Sequence, residues 1–156
     1  MTPAVQELKI RARLRLNAAR REGQATRLGD CLRSVAREVG YMHWDHARRV
    51  LAGEAAPGDD MGTFWHAPRC SAILCPWFAD ARLAAQAARR TPGFVLPYRR
   101  QFVLAPADYI RELGLDPALE AWSVLQGDLI GGYGSDAWRQ LCRLRLQCPQ
   151  DSFERR

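Results

Sequence analysis

Glu54-Ala55-Ala56-Pro57-Gly58-Asp59-Asp60-Met61-Gly62 decides how the chain is read. Its cluster of proline, glycine and acid breaks both the helical and the strand period, as loop chemistry does. Before it, apolar residues recur every three or four positions. After it, short apolar runs alternate with turns. The reading is therefore α+β: a basic three-helix head over 1–53, a linker over 54–62, and an aromatic-rich body over 63–156 built as a small sheet covered by helices.

Charge follows the same division. Residues 1–53 hold 11 basic and 5 acidic side chains, and residues 54–156 hold 12 of each, so the whole +6 sits in the head. Twelve of the 14 aromatics lie beyond residue 53. A localised positive field attracts phosphates, which makes an anionic partner the first expectation, nucleic acid before acidic protein. All but one of the 23 basic residues are arginine, and arginine also dominates the neutral body, so a GC-rich genome accounts for the type if not for the placement.

The head is well punctuated. Thr2 caps a first helix, Pro3 suits its first turn and Gly23 ends it, with Val5, Leu8, Ala12, Leu16 and Ala19 as the inward stripe. A second helix covers Leu28 to Val39 and stops at Gly40. A third covers His43 to Ala52, with Trp44, Ala47, Val50 and Leu51 inward and Trp44 as the structural anchor. Two short helices about a glycine turn have a helix-turn-helix shape. Ala36 and Gly40 keep that motif's spacing, but the register slips at His46 and Arg49. Arg11, Arg15, Arg48 and Arg49 are the expected nucleic-acid contacts. A solvated helix face and a purely structural head are the competing readings.

In the body, Thr63–His66 and Ser71–Leu74 read as strands and Pro76–Arg90 as one amphipathic helix with Phe78, Leu83 and Ala87 inward. Phe94–Leu96 and Gln101–Leu104 read as a strand pair about Pro97-Tyr98-Arg99-Arg100. Short helices follow over Pro106–Leu113 and Pro117–Leu125. Gly131-Gly132-Tyr133-Gly134 reads as a flexible loop, and Ser135 caps a last helix whose inward side is Trp138, Leu141, Cys142 and Leu146.

Leu8–Ala12, then Val35–Tyr41, Trp44 and His46-Ala47, resemble the N-terminal region of bacterial proteins labelled "glyoxalase-related" and similar segments that precede ankyrin arrays. Gly58–Trp65, Leu96–Arg99 and Leu113–Pro117 resemble a family of bacterial proteins, and that resemblance implies no activity. The His and Glu set on paired strands that a metal-dependent glyoxalase needs is not found in the sequence.

Catalytic chemistry has no strong motif. A zinc site would draw on His66, Cys70 and Cys75 with Cys142 or Cys148, or on His43 and His46, but none has the close CxxC spacing of such sites. A nucleophile would be Cys70, Cys75 or Ser71 with His66 as base and Asp59 or Asp60 as orienter. The glycine-rich 131–134 loop lacks the lysine and hydroxyl of a phosphate loop. Trp65, Trp77, Phe78, Tyr98, Phe102 and Trp122 are core or pocket aromatics. His66, Tyr98, Arg99 and Arg100 are the pocket candidates, since a turn between strands exposes side chains on a rigid base. A binding or accessory module is the leading function. A small enzyme near His66, Cys70 and Arg99 is the alternative. No cofactor, metal or membrane partner is expected, and the cysteines are expected as thiols in a reducing cytoplasm.

Overall fold

The chain, as a computed structural model, is described over residues 1–149, so the last residues of the expected body, 150–156, lie outside the described residues. Helix α1 spans Pro3–Arg21, α2 Leu28–Glu38 and α3 Trp44–Leu51. The Thr2 hydroxyl oxygen accepts from the Val5 amide (3.4 Å) and donates to the Leu51 carbonyl (2.8 Å), so one side chain caps α1 and ties it to the end of α3. Ala4, Val5, Leu8, Ala12 and Leu16 form the buried stripe of α1, as the spacing predicts. In α3 the inward residues are His46, Ala47, Val50 and Leu51. Trp44 differs from the expectation: it is half-buried at the core's edge, and the fully inward place one turn ahead of Val50 falls to His46. The helix starts at Trp44 because His43 caps it, its Nδ1 accepting from the His46 amide at 3.1 Å.

Three short strands make an antiparallel sheet in the order β1–β3–β2: β1 Trp77–Phe78, β2 Phe94–Tyr98 and β3 Gln101–Ala105. Leu96 faces Val103 and Tyr98 faces Gln101. Side chains alternate across the sheet. Leu96, Val103 and Ala105 join the main core, while Val95 and Leu104 pack on Ala84 of α4 (Ala81–Arg90). Helices α5 (Ala107–Glu112), α6 (Glu120–Leu125) and α7 (Asp136–Leu146) close the other side. The fold is α+β, with a small sheet and helices around it. One core cluster runs from Ala4 to Leu146 and takes residues from both sides of the 54–62 loop, with α1 packed on α2, α3 and α7. Each fully buried leucine here, such as Leu8 or Leu141, contributes about 1.5–3 kcal/mol by leaving water.

Three secondary-structure expectations in the body fail. Thr63 to Ala67 are all buried, the look of an inner strand, yet they form a turn. Their backbone groups bond to Gly40, within the turn, and to the side chains of Arg145 and Tyr109 rather than to a neighbouring strand. Ser71–Leu74 is not a strand either: Pro68–Ala72 is a short 3-10 helix, and Leu74 is 99% exposed. Pro76–Arg90 splits. The Pro76 carbonyl accepts from Leu104, which draws Trp77-Phe78 into the sheet, and the helix begins only after Asp80, whose carboxylate caps the Arg82 amide at 2.7 Å. The later start turns Leu83 outward and Ala84 inward.

The 54–62 segment is held on both sides. Met61 donates to the Arg99 carbonyl and Arg99 to the Gly62 carbonyl, each at 2.8 Å. Gly40 and Gly62 pass against each other with φ of +100° and +69°. A Cβ on Gly62 would lie 2.6 Å from the Gly40 carbonyl oxygen, and one on Gly40 would lie 2.6 Å from Thr63 Oγ1. Both conformations and the close approach require glycine. The expected flexible loop at 131–134 is pinned as well: Tyr133 donates its hydroxyl to the Val50 carbonyl (2.6 Å) and accepts from the Ala55 amide (3.1 Å).

Candidate functional site

The 3-10 helix, the first strand and the β2–β3 hairpin meet at an open cleft of about 250 Å³, walled by His66, Ser71, Ile73, Trp77, Tyr98 and Gln101. His66 is buried and enters from the turn that precedes the 3-10 helix. Its backbone is fixed by Arg145 of α7, a fully buried guanidinium. That group donates to the carbonyls of Phe64 (3.0 Å), His66 (3.0 Å), Leu113 (3.1 Å) and Pro149 (2.6 Å). Its ring sits edge-on to Tyr98, 5.1 Å between centroids.

The ring nitrogens have distinct partners. Nδ1 is 3.0 Å from the Tyr109 hydroxyl, and Nε2 is 3.3 Å from Ser71 Oγ. Tyr109 donates its one hydroxyl hydrogen to the Trp65 carbonyl at 3.3 Å. With that hydrogen on the Trp65 carbonyl, the phenol oxygen is an acceptor, and the matching tautomer carries its hydrogen on Nδ1 and turns the Nε2 lone pair toward Ser71. Burial pushes the Tyr109 phenol well above its ordinary range, so it serves as a neutral dipole. Ser71 is exposed on the 3-10 helix. Cys70, beside it, is buried with Sγ toward the Tyr109 carbonyl (3.8 Å), and burial raises its pKa, so it stays a thiol. Burial also raises the Cys75 thiol.

Of the pocket residues expected from sequence, His66 and Tyr98 share this cleft. Arg99 lies over the Tyr98 ring, 5.9 Å from its centroid. Arg100 turns away, donates to the Gly58 carbonyl at 3.0 Å and lines a second cleft with His43, Asp45 and Asp60. Asp59 and Asp60, the expected orienters, are remote from His66: Asp59 pairs with Arg49, and the Asp60 carbonyl accepts from His46 Nε2 at 2.6 Å. His46 Nδ1 accepts from the Met42 amide, so both of its nitrogens are committed. Among the described residues no three His, Cys, Asp or Glu side chains gather as a metal site would need. No cysteine is in a disulfide. A third cleft, apolar and about 340 Å³, lies between the 55–61 segment, Phe102 and Ile130.

The four arginines expected to meet nucleic acid all have partners within the chain. Arg11 pairs with Glu7 (3.0 Å) and donates to the Leu146 carbonyl (2.8 Å), and Arg15 pairs with Glu38. Arg48 bridges Asp45 and Glu54, and Arg49 meets Asp59 at 3.1 Å. The acids around α3 thus offset its arginines. Lys9, Arg13, Arg20, Arg21, Arg27 and Arg33 are exposed and have no side-chain partner among the described residues. No described helix is long and apolar enough to cross a membrane.

Tyr109 and Arg145 escaped the sequence reading. Tyr109 lies 43 residues from His66 with no local pattern to link them. Arg145 did leave a signal, since it interrupts the inward side of the last helix four places after Leu141. No protein-family model, curated protein or solved structure matches the chain.

Proposed function

We propose that the protein is a binding module whose α1–α2 face holds the backbone of a nucleic acid. The observation that supports this is the set of exposed cations with no side-chain partner among the described residues. Six of them lie in the first 53 residues, on or beside α1 and α2. Helix ends explain part of the set: Arg20 and Arg21 lie in the last turn of α1, where a cation complements the helix dipole. Lys9, Arg13 and Arg33 are mid-helix, and Arg27 sits at the N-cap of α2, where the dipole opposes it. The fold's own stability does not call for them.

Lys9, Arg13 and Arg20 are four and seven residues apart on one line of α1. They are spaced by about 6 and 10 Å along its axis, within reach of successive phosphates. Such contacts carry no sequence information, and their signature is salt dependence. The reading moves the contact surface from Arg11, Arg15, Arg48 and Arg49, which are engaged internally, to this neighbouring line.

The test is titration of short labelled duplex and single-stranded DNA at about 50 and 200 mM salt. The expected result is binding at the lower salt. Replacing Lys9, Arg13 and Arg20 together by Gln flattens the log–log salt slope on duplex by up to about 2.7, at about 0.9 per phosphate. The Arg48→Gln, Arg49→Gln pair changes it less. No binding at the lower salt, or an unchanged slope in the triple variant, overturns the reading.

A further inference from the structure

We propose that Ser71 is an acyl-accepting nucleophile and His66 its general base, in a site that hydrolyses small carboxylic esters with acidic leaving alcohols. This rests on the cleft alone and not on the cationic face, so either reading can fail without the other. The geometry is the array Ser71 Oγ to His66 Nε2 to the opposite edge of the ring and Tyr109, with contacts of 3.3 and 3.0 Å. Nucleophile–base contacts are often this loose without substrate. We assign the Tyr109 hydrogen to the Trp65 carbonyl (3.3 Å) and the ring hydrogen to Nδ1, which leaves a proton acceptor, not a donor, against the serine. The serine is exposed and the base is buried, so a substrate reaches the one and water is kept from most of the other.

The chemistry balances with water as the only co-reactant. Ser71 gives its hydroxyl proton to His66 Nε2 as Oγ bonds to the ester carbon and the carbonyl electrons move to oxygen. The adduct collapses, the bond to the leaving oxygen breaks, and His66 returns the proton to that alkoxide. Water then loses a proton to the same nitrogen as its oxygen bonds to the acyl carbon; the bond from that carbon to Oγ breaks, Oγ takes the proton back from Nε2, and the acid leaves. Gln101 carries a side-chain amide in the cleft wall and is the donor suited to the developing oxyanion. Tyr109 contributes a neutral dipole at Nδ1, and the nucleophile–base contact is 3.3 Å. That suits an aryl ester, whose leaving group needs little help, and not an amide. The cleft of about 250 Å³ and the Trp77 and Tyr98 rings, 5.3 Å apart and edge to face, fit a small acyl or aryl group.

The experiment uses the full chain with 4-nitrophenyl acetate and, separately, with a fluorophosphonate, followed by peptide mass spectrometry. The expected result is an adduct on Ser71 from both reagents and turnover of the ester. Ser71→Ala, a change at an exposed position that leaves folding intact, abolishes both. His66→Gln slows labelling by about 10²-fold or more. Tyr109 is a positioning residue, and its readout is the ¹⁵N spectrum of the His66 ring: one Nδ1–H tautomer in the native chain and a mixture in Tyr109→Phe. Labelling that persists in Ser71→Ala, or that falls on other residues, overturns the proposal. So does a native ring carrying its hydrogen on Nε2, and this readout stands even if His66→Gln fails to fold.

Discussion

Arg145→Met tests the internal logic of the fold most directly. The native guanidinium is fully buried and serves the carbonyls of Phe64, His66, Leu113 and Pro149 at 2.6–3.1 Å. Methionine keeps most of the stem and its packing but removes every donor. A buried carbonyl left without a donor costs about 1–3 kcal/mol; Phe64, His66 and Leu113 are buried and Pro149 is exposed, so three at the low end amount to about 3 kcal/mol. Domains of this size have about 5–15 kcal/mol in all, so the variant should be folded but marginal. At about 2–4 °C per kcal/mol, its thermal midpoint should fall by about 6–12 °C, read by circular dichroism. Arg145→Lys retains three donors without the planar fork and should lose less. Hydrogen exchange in Arg145→Met should quicken first over residues 63–67, where two of the four carbonyls lie. A midpoint within about 3 °C of the native one would refute the reasoning, because it would mean the carbonyls find water as readily as they find the arginine.

Two further outcomes follow from burial. Burial pushes Tyr41, Tyr109 and Cys142 up, and it takes Tyr133 to about 12. An acid held neutral in the fold stabilises fully below its unfolded pKa. That stability is lost as pH rises, so the thermal midpoint should decline from about pH 8.5, where unfolded cysteine ionises, and more steeply above about pH 10. A flat profile between those values would contradict this. Tyr41 is fully buried and its hydroxyl has no hydrogen-bond partner among the described residues, so Tyr41→Phe should stabilise the protein by about 1 kcal/mol in urea titration. A loss of stability would reveal a partner for that hydroxyl.

Local signals carried the reading where the cause of structure is local. Thr2 and Ser135 cap the helices they were expected to cap, Gly23 and Gly40 take positive φ, and the strand pair flanks Arg99-Arg100. They failed where the partner is distant. Five consecutive buried residues from Thr63 look like a strand, but the side-chain donors to them come from residues 109 and 145 and the close contact comes from residue 40. The cleft was half legible. Ser71 and His66 are five residues apart, and the sequence offers Ser71 alongside Cys70 and Cys75 as a nucleophile for His66; it points to Asp59 or Asp60 as the group beside the ring, where the structure has Tyr109. For the four head arginines the sequence offers only charge and helical angle. Whether an arginine is free depends on where the acids of other elements fall, and Glu54 and Asp59 come from beyond α3.

The crossing of Gly40 and Gly62 constrains how the sequence can change over time. Most tight contacts can be renegotiated: one partner grows and the other shrinks. Here backbone atoms fill the space, the Gly40 carbonyl against Gly62 and the 63–64 peptide against Gly40, and each glycine lies in a backbone region that rewards it for its own sake. A gain of even a methyl group at one position therefore cannot be offset at the other. Accepting it would mean re-routing the chain where the helices hand over to the hairpin, and that segment also delivers His66 to its cleft. Variation among descendants of this chain should accordingly spare these two positions together while the outer face of α4, with Arg82, Leu83 and Gln86, drifts freely.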